Sequence, residues 1–359
     1  MSNFDFLKKY WGALTQIGQA AENYLYTDPN SCLIKLGMLA ERLVLEIFAF
    51  ENIAQPDTDN THSNRIYILK REGLIPQKID DILYTLRKKR NDAVHSGLDS
   101  VDTAKSLIKM TFNLAAWFME VYGDWNFKAP EFVMPQKNIT HDYERLIKEQ
   151  EEKIISLTQQ LTKVTTSVSD KTIDERIEKS ESTSENMELS EAETRLIIDE
   201  QLRKYGWEVD TNNIRYSKGA RPQKGKNLAI LEWPVDSQMC SGGHADYALF
   251  AGLMLVGIIE AKKAQIDVPA VLDCQCKDYA SAIKDEHNEY VINNWCKYKV
   301  PFIFATNGRK YLKQIETKSG IWFQDLRDNS APKALRGWIS PMGIVEMLEK
   351  DIASADNAL

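Results

Sequence analysis

The chain has 359 residues, 43% of them hydrophobic and 27% charged, a length beyond one ordinary core and a composition that suits two globular domains with a connector. A formal charge of −7 and an isoelectric point near 5.5 exclude a protein that coats nucleic acid over its whole surface, so any such contact must be a local basic patch. Met1 to Lys9 show no charged-then-apolar leader, no run reaches the roughly 18 apolar residues of a membrane span, and five irregularly spaced cysteines fit reduced thiols. These features predict a cytoplasmic protein without a membrane partner.

From Phe4 to about Gly123 the pattern is helical. Leu33, Leu36, Leu39, Ala40, Leu43, Val44, Ile47 and Phe48 recur at spacings of three and four, and Asp28-Pro29-Asn30-Ser31 starts that helix with Ser or Asn as its cap. Further helices are expected over Ile79 to Arg90 and Val101 to Tyr122. Residues 1–125 thus read as an all-α domain and 126–140 as an extended connector. In 141–168, Tyr143, Ile147, Gln150, Ile154, Leu157, Leu161, Val164 and Val168 follow a heptad, which predicts a short coiled coil that either dimerises or serves as a spacer. Residues 169–188, rich in Thr, Ser, Glu and Lys, read as a flexible linker.

The remaining residues, 189–359, read as an α/β domain. Ser190-Glu191-Ala192-Glu193 opens a helix through Leu202. Glu193 is either the acid of a capping box or a third carboxylate at a site formed elsewhere. Arg215 to Lys226 carries five positive charges and no acid, which makes Arg221, Lys224 and Lys226 candidate phosphate contacts, or else a solvated loop. This run is not a nucleotide-binding phosphate loop, because five residues separate Gly219 from Gly225 and Asn227 follows Lys226. Asn227 to Trp233 reads as a first strand. Ala245 to Phe250 and Leu255 to Lys263 read as a hairpin around Ala251-Gly252-Leu253-Met254. Centring that hairpin on Leu253 sets Asp246 opposite Glu260, and Lys262 lies two residues along on the face of Glu260. Two acids and an ammonium at one spot suit metal-assisted phosphodiester hydrolysis; the bland alternative is a pair of charged strand ends. In the helix expected over Val268 to Ile283, Gln275 and Tyr279 are four apart and share a face. Val300 to Gly308 reads as a buried strand and turn. Helix, three strands, helix, strand implies one mixed central sheet flanked by helices.

Two resemblances follow from these residues. Arg87 to His95, with Arg90 and His95 separated by four residues, resembles the motif of the HEPN superfamily, many of whose members are metal-independent ribonucleases with sites shared between paired protomers. Arg90 and His95 are therefore a candidate ribonuclease pair, although side chains five apart on a straight helix diverge by about 140° and would need a helix end or a homodimer to meet. The plainer alternative is a basic helix terminus, with His95 favouring the C-terminal dipole.

In the second half, Asp246, Glu260-x-Lys262 and Gln275-x-x-x-Tyr279, together with Arg221-Pro222, Asn227 to Trp233, Ala305-Thr306-Asn307-Gly308 and Leu335-Arg336-Gly337-Trp338, resemble the PD-(D/E)xK nucleases. More narrowly they resemble the nuclease region of the R subunit of type I restriction enzymes. Ala245 stands where the superfamily's name has proline. The resemblance implies a HEPN-like helical domain followed by a restriction-endonuclease-like domain that cuts double-stranded DNA with Mg²⁺ in phage defence. Asp246 and Glu260 would hold the metal, Lys262 would position water, Glu193 would assist, and Gln275 and Tyr279 would bind DNA. It also implies methyltransferase and specificity subunits as partners. ATP would be used only if helicase lobes follow, since this chain has no ATP site of its own. A non-catalytic docking role for the helical half is the remaining reading.

Overall fold

The computed structural model describes residues 2–56, 59–137, 171–237, 243–263, 266, 268–309, 311, 320–328 and 330–358. They form two compact units, Met1–Glu188 and Leu189–Leu359.

The first unit is helical: α1 Gly12–Tyr24, α2 Pro29–Phe50, α3 His62–Arg71, α4 Gln77–Ser96, α5 Val101–Phe118 and α6 Ile173–Asn186. The apolar stripe of α2 is its core face, with Leu33, Leu36, Ala40, Leu43, Val44 and Ile47 all buried. Its cap is Asp28, whose carboxylate accepts from the Ser31 amide at 2.9 Å, with Pro29 in the first turn. Neither Ser31 nor Asn30 is the cap. Asn30 instead donates to the carbonyls of Ala93 and Leu98 at 2.8 and 2.9 Å, tying the start of α2 to the end of α4, where Gly97 adopts the left-handed conformation that closes the helix. Helix α5 runs on into a π turn, Met119–Gly123.

The reading of 169–188 as a flexible linker is corrected by α6. A capping box of Thr172 and Glu175 starts this helix, and Ser180, Thr183 and Ser184 are buried. Trp117 Nε1 donates to the Ser180 carbonyl at 3.2 Å, and Arg176 forms two bonds with Glu51, Nε to Oε1 at 2.7 Å and Nη2 to Oε2 at 2.6 Å. Small polar side chains let the helix approach closely, and its cations Arg176 and Lys179 are paired with Glu51 and Glu120, so it packs without the apolar stripe by which helices are usually recognised. Residues 127–137 carry neither helix nor strand. The heptad segment 141–168 lies outside the described residues.

The second unit is a six-stranded mixed sheet: β1 Asn227–Pro234, β2 His244–Ala251, β3 Met254–Ala261, β4 Phe302–Thr306, β5 Ile321–Asp325 and β6 Lys333–Ala334, in spatial order β1-β2-β3-β4-β5-β6. All neighbours are antiparallel except β3 and β4, whose parallel pairing requires a crossover. That crossover contains a helical segment interrupted by a π turn, Leu272–Cys276, and it covers one face of the sheet over Ile230, Ala248, Phe250, Ile258 and Ile303. On the other face α7 Glu191–Lys204 and α8 Pro341–Ala358 bring Ile198, Leu202 and Ile344 onto Leu231, Tyr247, Ile259 and Phe304.

The hairpin register is set by a defect. At the turn Ala251 pairs with Met254 and Phe250 with Leu255, but beyond a bulge Leu249 pairs with Gly257 and Tyr247 with Ile259. Without that extra residue the register would bring Asp246 to Ile259; with it, Asp246 comes opposite Glu260. Gly257 belongs to the same feature, since a Cβ there would lie 3.2 Å from Leu249 Cδ1 and 3.3 Å from a Phe304 ring carbon.

Candidate active site

Asp246 and Glu260 lie at the same end of the central strands and are almost fully buried, at 8% and 5% exposure. The two carboxyl groups act on each other electrostatically. Asp246 Oδ2 accepts the Ala261 amide at 2.8 Å, and its Oδ1 accepts from Arg195 Nη2 at 2.5 Å. Lys262 Nζ donates to Glu260 Oε1 at 2.7 Å, so the acid pair carries one cation on each side. The Lys262 backbone is fixed by the adjoining strand, its amide donating to the Thr306 carbonyl at 2.7 Å just past the Ala261–Thr306 pair. Thr306 is held in turn by its hydroxyl on the Gly320 carbonyl at 2.7 Å, and Asn307 bonds the Ile266 carbonyl at 3.0 Å. The Ala305-Thr306-Asn307-Gly308 run is therefore the support on which Lys262 stands.

Burial pushes the Glu260 carboxyl up, the charge of Asp246 pushes it further, and Lys262 offsets this only in part, so that it rises to about 7. Burial and mutual repulsion oppose ionisation of both acids at once, although Arg195 and Lys262 balance their two charges. The oxygen-only donor set fits a hard divalent ion. Among the described residues no group of three or more His, Cys, Asp or Glu side chains is arranged to hold a metal. Glu193 is buried and makes the capping box, Oε2 accepting the Ser190 amide at 3.0 Å while its own amide donates to Ser190 Oγ at 3.3 Å.

Arg195 was not among the residues singled out in the sequence. It belongs to the stripe Arg195, Ile198, Asp199, Leu202, whose spacing marks the buried face of α7. Asp199 on that stripe accepts from the Tyr247 hydroxyl at 2.9 Å. Two charges on an apolar stripe were the available signal: each serves a residue of β2, Arg195 the carboxylate of Asp246 and Asp199 its neighbour.

Comparison with known proteins meets the same region. Residues 208–348 match a family model described as the second domain of the type I restriction enzyme EcoKI endonuclease subunit. Over 425 aligned positions the chain is 32% identical to the type I restriction enzyme EcoKI endonuclease subunit of Escherichia coli (strain K12). The chain is related to the endonuclease subunit of type I restriction enzymes. The alignment takes in 97% of the chain and 36% of that subunit. Residues 19–180 match a second family model, a domain of unknown function, DUF4145. No solved structure matches.

The stretch shared with the endonuclease subunit's second domain holds Asp246, Glu260, Lys262, Gln275 and Tyr279; Glu193 and Arg195 precede it. Gln275 is half-buried within the π turn, which breaks the regular four-residue spacing to Tyr279, and Tyr279 is 4% exposed in the apolar layer beneath the sheet. Arg221 is exposed and stacks over the Tyr216 ring at 3.6 Å, and Tyr216 packs edge-on against Trp233, near the carboxylate end of β1. Lys224 and Lys226 are exposed at the opposite end. Asn227 pairs with Ala251 and Trp233 with Ala245, so Lys226 lies about 20 Å along the strand from the level of Asp246. In the first unit, Arg90 and His95 both lie on α4: Arg90 Nη1 is bonded to Glu41 Oε2 at 3.0 Å, and His95 is exposed in the last turn.

Proposed function

We propose that the second unit is a restriction-endonuclease-like, Mg²⁺-dependent nuclease module that cuts double-stranded DNA within a type I restriction-modification complex. The observation that carries this reading is the buried Asp246–Glu260 pair with Lys262 on one side and Arg195 on the other. Asp246 and Glu260 would hold the cation, with the Ala261 carbonyl as a further oxygen donor. A bound divalent ion supplies Lewis-acid polarisation of the scissile phosphate and a lowered pKa of its water. Lys262, freed from Glu260 as that carboxylate turns to the ion, would orient the attacking water and meet the negative charge that grows on the phosphoryl oxygens as the P–O bond breaks. Arg195 holds the Asp246 carboxylate in place through its bond to Oδ1. Arg221 and Gln275 are the DNA contacts nearest this chemistry, while Lys224 and Lys226 would meet the duplex farther along. The first unit would be a HEPN-like helical domain that docks the methyltransferase and specificity subunits.

The raised Glu260 carboxyl gives this reading a signature. Its folded value of about 7 exceeds the ordinary carboxyl value of 4.5, so between those pH values the folded chain holds a proton that the unfolded chain has lost. The stability that Glu260 contributes is full below about pH 4.5 and declines as pH rises toward 7, and a cation restores it by compensating the ionised pair. Calorimetric titration with Mg²⁺ at pH 7 in two buffers of different ionisation enthalpy should show net proton release. The rise in melting temperature on adding Mg²⁺ should be larger at pH 8 than at pH 6. Binding with no proton release, and a pH-independent thermal shift, would count against Glu260 as a ligand.

A further inference from the structure

The first unit contains a second polar centre, built by three helices and unrelated to the acid pair. Glu41 of α2 accepts from two arginines, Arg90 of α4 at 3.0 Å and Arg65 of α3 at 3.4 Å. The Nε and Nη2 donors of Arg65 are taken by Gln55 and Asn60, Nε bonding their side-chain oxygens at 3.1 and 3.0 Å and Nη2 the Asn60 carbonyl at 2.9 Å. That anchors Arg65 and leaves Glu41 shared between two guanidinium groups. The stem of Arg90 lies so close to α2 that a Cβ on Gly37 would fall 2.6 Å from the Arg90 Cβ, so only glycine admits this path.

Three buried polar atoms in this centre have no hydrogen-bond partner among the described residues: Arg90 Nε and both ring nitrogens of His62. His62 is 9% exposed, and Glu41, Arg65, Arg87 and Arg90 all act electrostatically on its ring. An orphaned buried donor or acceptor is costly, so three of them in one place point to a ligand-binding centre rather than a packed core. The charge balance says which kind. Arg65 and Arg90 share the one carboxylate of Glu41, and Arg87 acts on the same ring from its place over Tyr84, so positive charge exceeds negative around a neutral imidazole. The mouth is open, since the side chains of Glu41 and Arg90 are 28% and 31% exposed.

We propose that His62, Arg65, Arg87 and Arg90 form an oxyanion site for the phosphate group of a phosphomonoester, with Arg90 Nε and the His62 ring N–H donating to its oxygens. Glu41 and Gly37 hold the Arg90 guanidinium in place for it. Arg90 acts in this site with His62 across α3 and α4, within one chain, and His95 takes no part. The proposal is independent of the nuclease reading, because every residue it uses lies in the other unit.

The test is nitrogen-15 NMR of the histidine rings in the full chain, which has five histidines, titrated with inorganic phosphate and then with 5′-AMP. The His62 ring resonances should move saturably, with a dissociation constant on the order of 1 mM. Arg90→Lys, which keeps the charge but loses the Nε–H and the planar fork, should weaken binding about tenfold. Glu260→Gln should leave the titration unchanged. Tighter binding of 5′-AMP than of phosphate assigns the site to nucleotide monoesters, and equal binding assigns it to free phosphate. His62 resonances that stay fixed up to about 50 mM of either probe overturn the proposal. That result needs no variant, so an unstable Arg90→Lys protein does not shield it; an unaltered titration in a folded Arg90→Lys protein overturns it equally.

Discussion

Lys262→Ala should lower Mg²⁺-dependent nicking of supercoiled plasmid by about two to three orders of magnitude, whether the chain is assayed alone or assembled with methyltransferase and specificity subunits. Among the described residues Lys262 is the one ammonium bonded to the acid pair, its backbone is set by the neighbouring strand, and its side chain is 19% exposed, enough to reach a phosphate at the surface. The fold should survive, because the substitution removes no core atom. Cleavage retained within about tenfold of wild type would mean that Lys262 only neutralises Glu260. Arg195→Ala makes the informative comparison: Arg195 bonds Asp246 from the opposite side, so its loss should act through the orientation of Asp246, and raising the metal concentration should recover part of the activity.

Arg176→Ala should destabilise the helical unit by about 3–5 kcal/mol. The side chain of Glu51 is 1% exposed, and Arg176 supplies its two short bonds, so truncation leaves a buried carboxylate without its cation. For a unit of this size the melting transition should fall by about 10 °C. Arg176→Met combined with Glu51→Gln should recover most of the loss, since the double change removes the stranded charge as well. A fall of less than about 2 °C in Arg176→Ala would indicate that α6 contributes little to the unit.

That helix is also where the sequence is hardest to read. Helices are recognised by apolar spacing, and α6 buries Ser180, Thr183 and Ser184 and an ion pair instead. A polar composition that reads as a tether is here a packed element. The central hairpin is the opposite case. Centring its two apolar runs on Leu253 brought Asp246 to Glu260, and the observed register does so too, but by way of the bulge beside Leu249 and Phe250. Ala251 and Met254 flank a two-residue turn, and without the bulge the same strands would pair one residue out. Alternation of side chains also placed Lys262 beside Glu260, where it bonds. It could not place Arg195, which reaches Asp246 from a helix on the other layer, because a contact between layers leaves no local period.

For Glu193 the capping box and a buried position are what the structure shows, and the Ser-x-x-Glu spacing announced them. The basic run separates into two parts that a linear reading joins: Arg221 stays near the carboxylate end of β1, whereas Lys224 and Lys226 lie at its far end. If both parts touch one duplex, its path runs along the strands rather than across their ends.

The acid pair as a metal centre is the claim on which the nuclease reading rests, and crystals soaked in Mn²⁺ at pH 8, with diffraction recorded at the manganese edge, test it most directly. The account predicts an anomalous peak between the Asp246 and Glu260 carboxylates, with Lys262 Nζ moved off Glu260 Oε1, and no peak in Glu260→Gln. Saturating Mn²⁺ with no peak at that position, and with the Lys262–Glu260 bond unchanged, would contradict it.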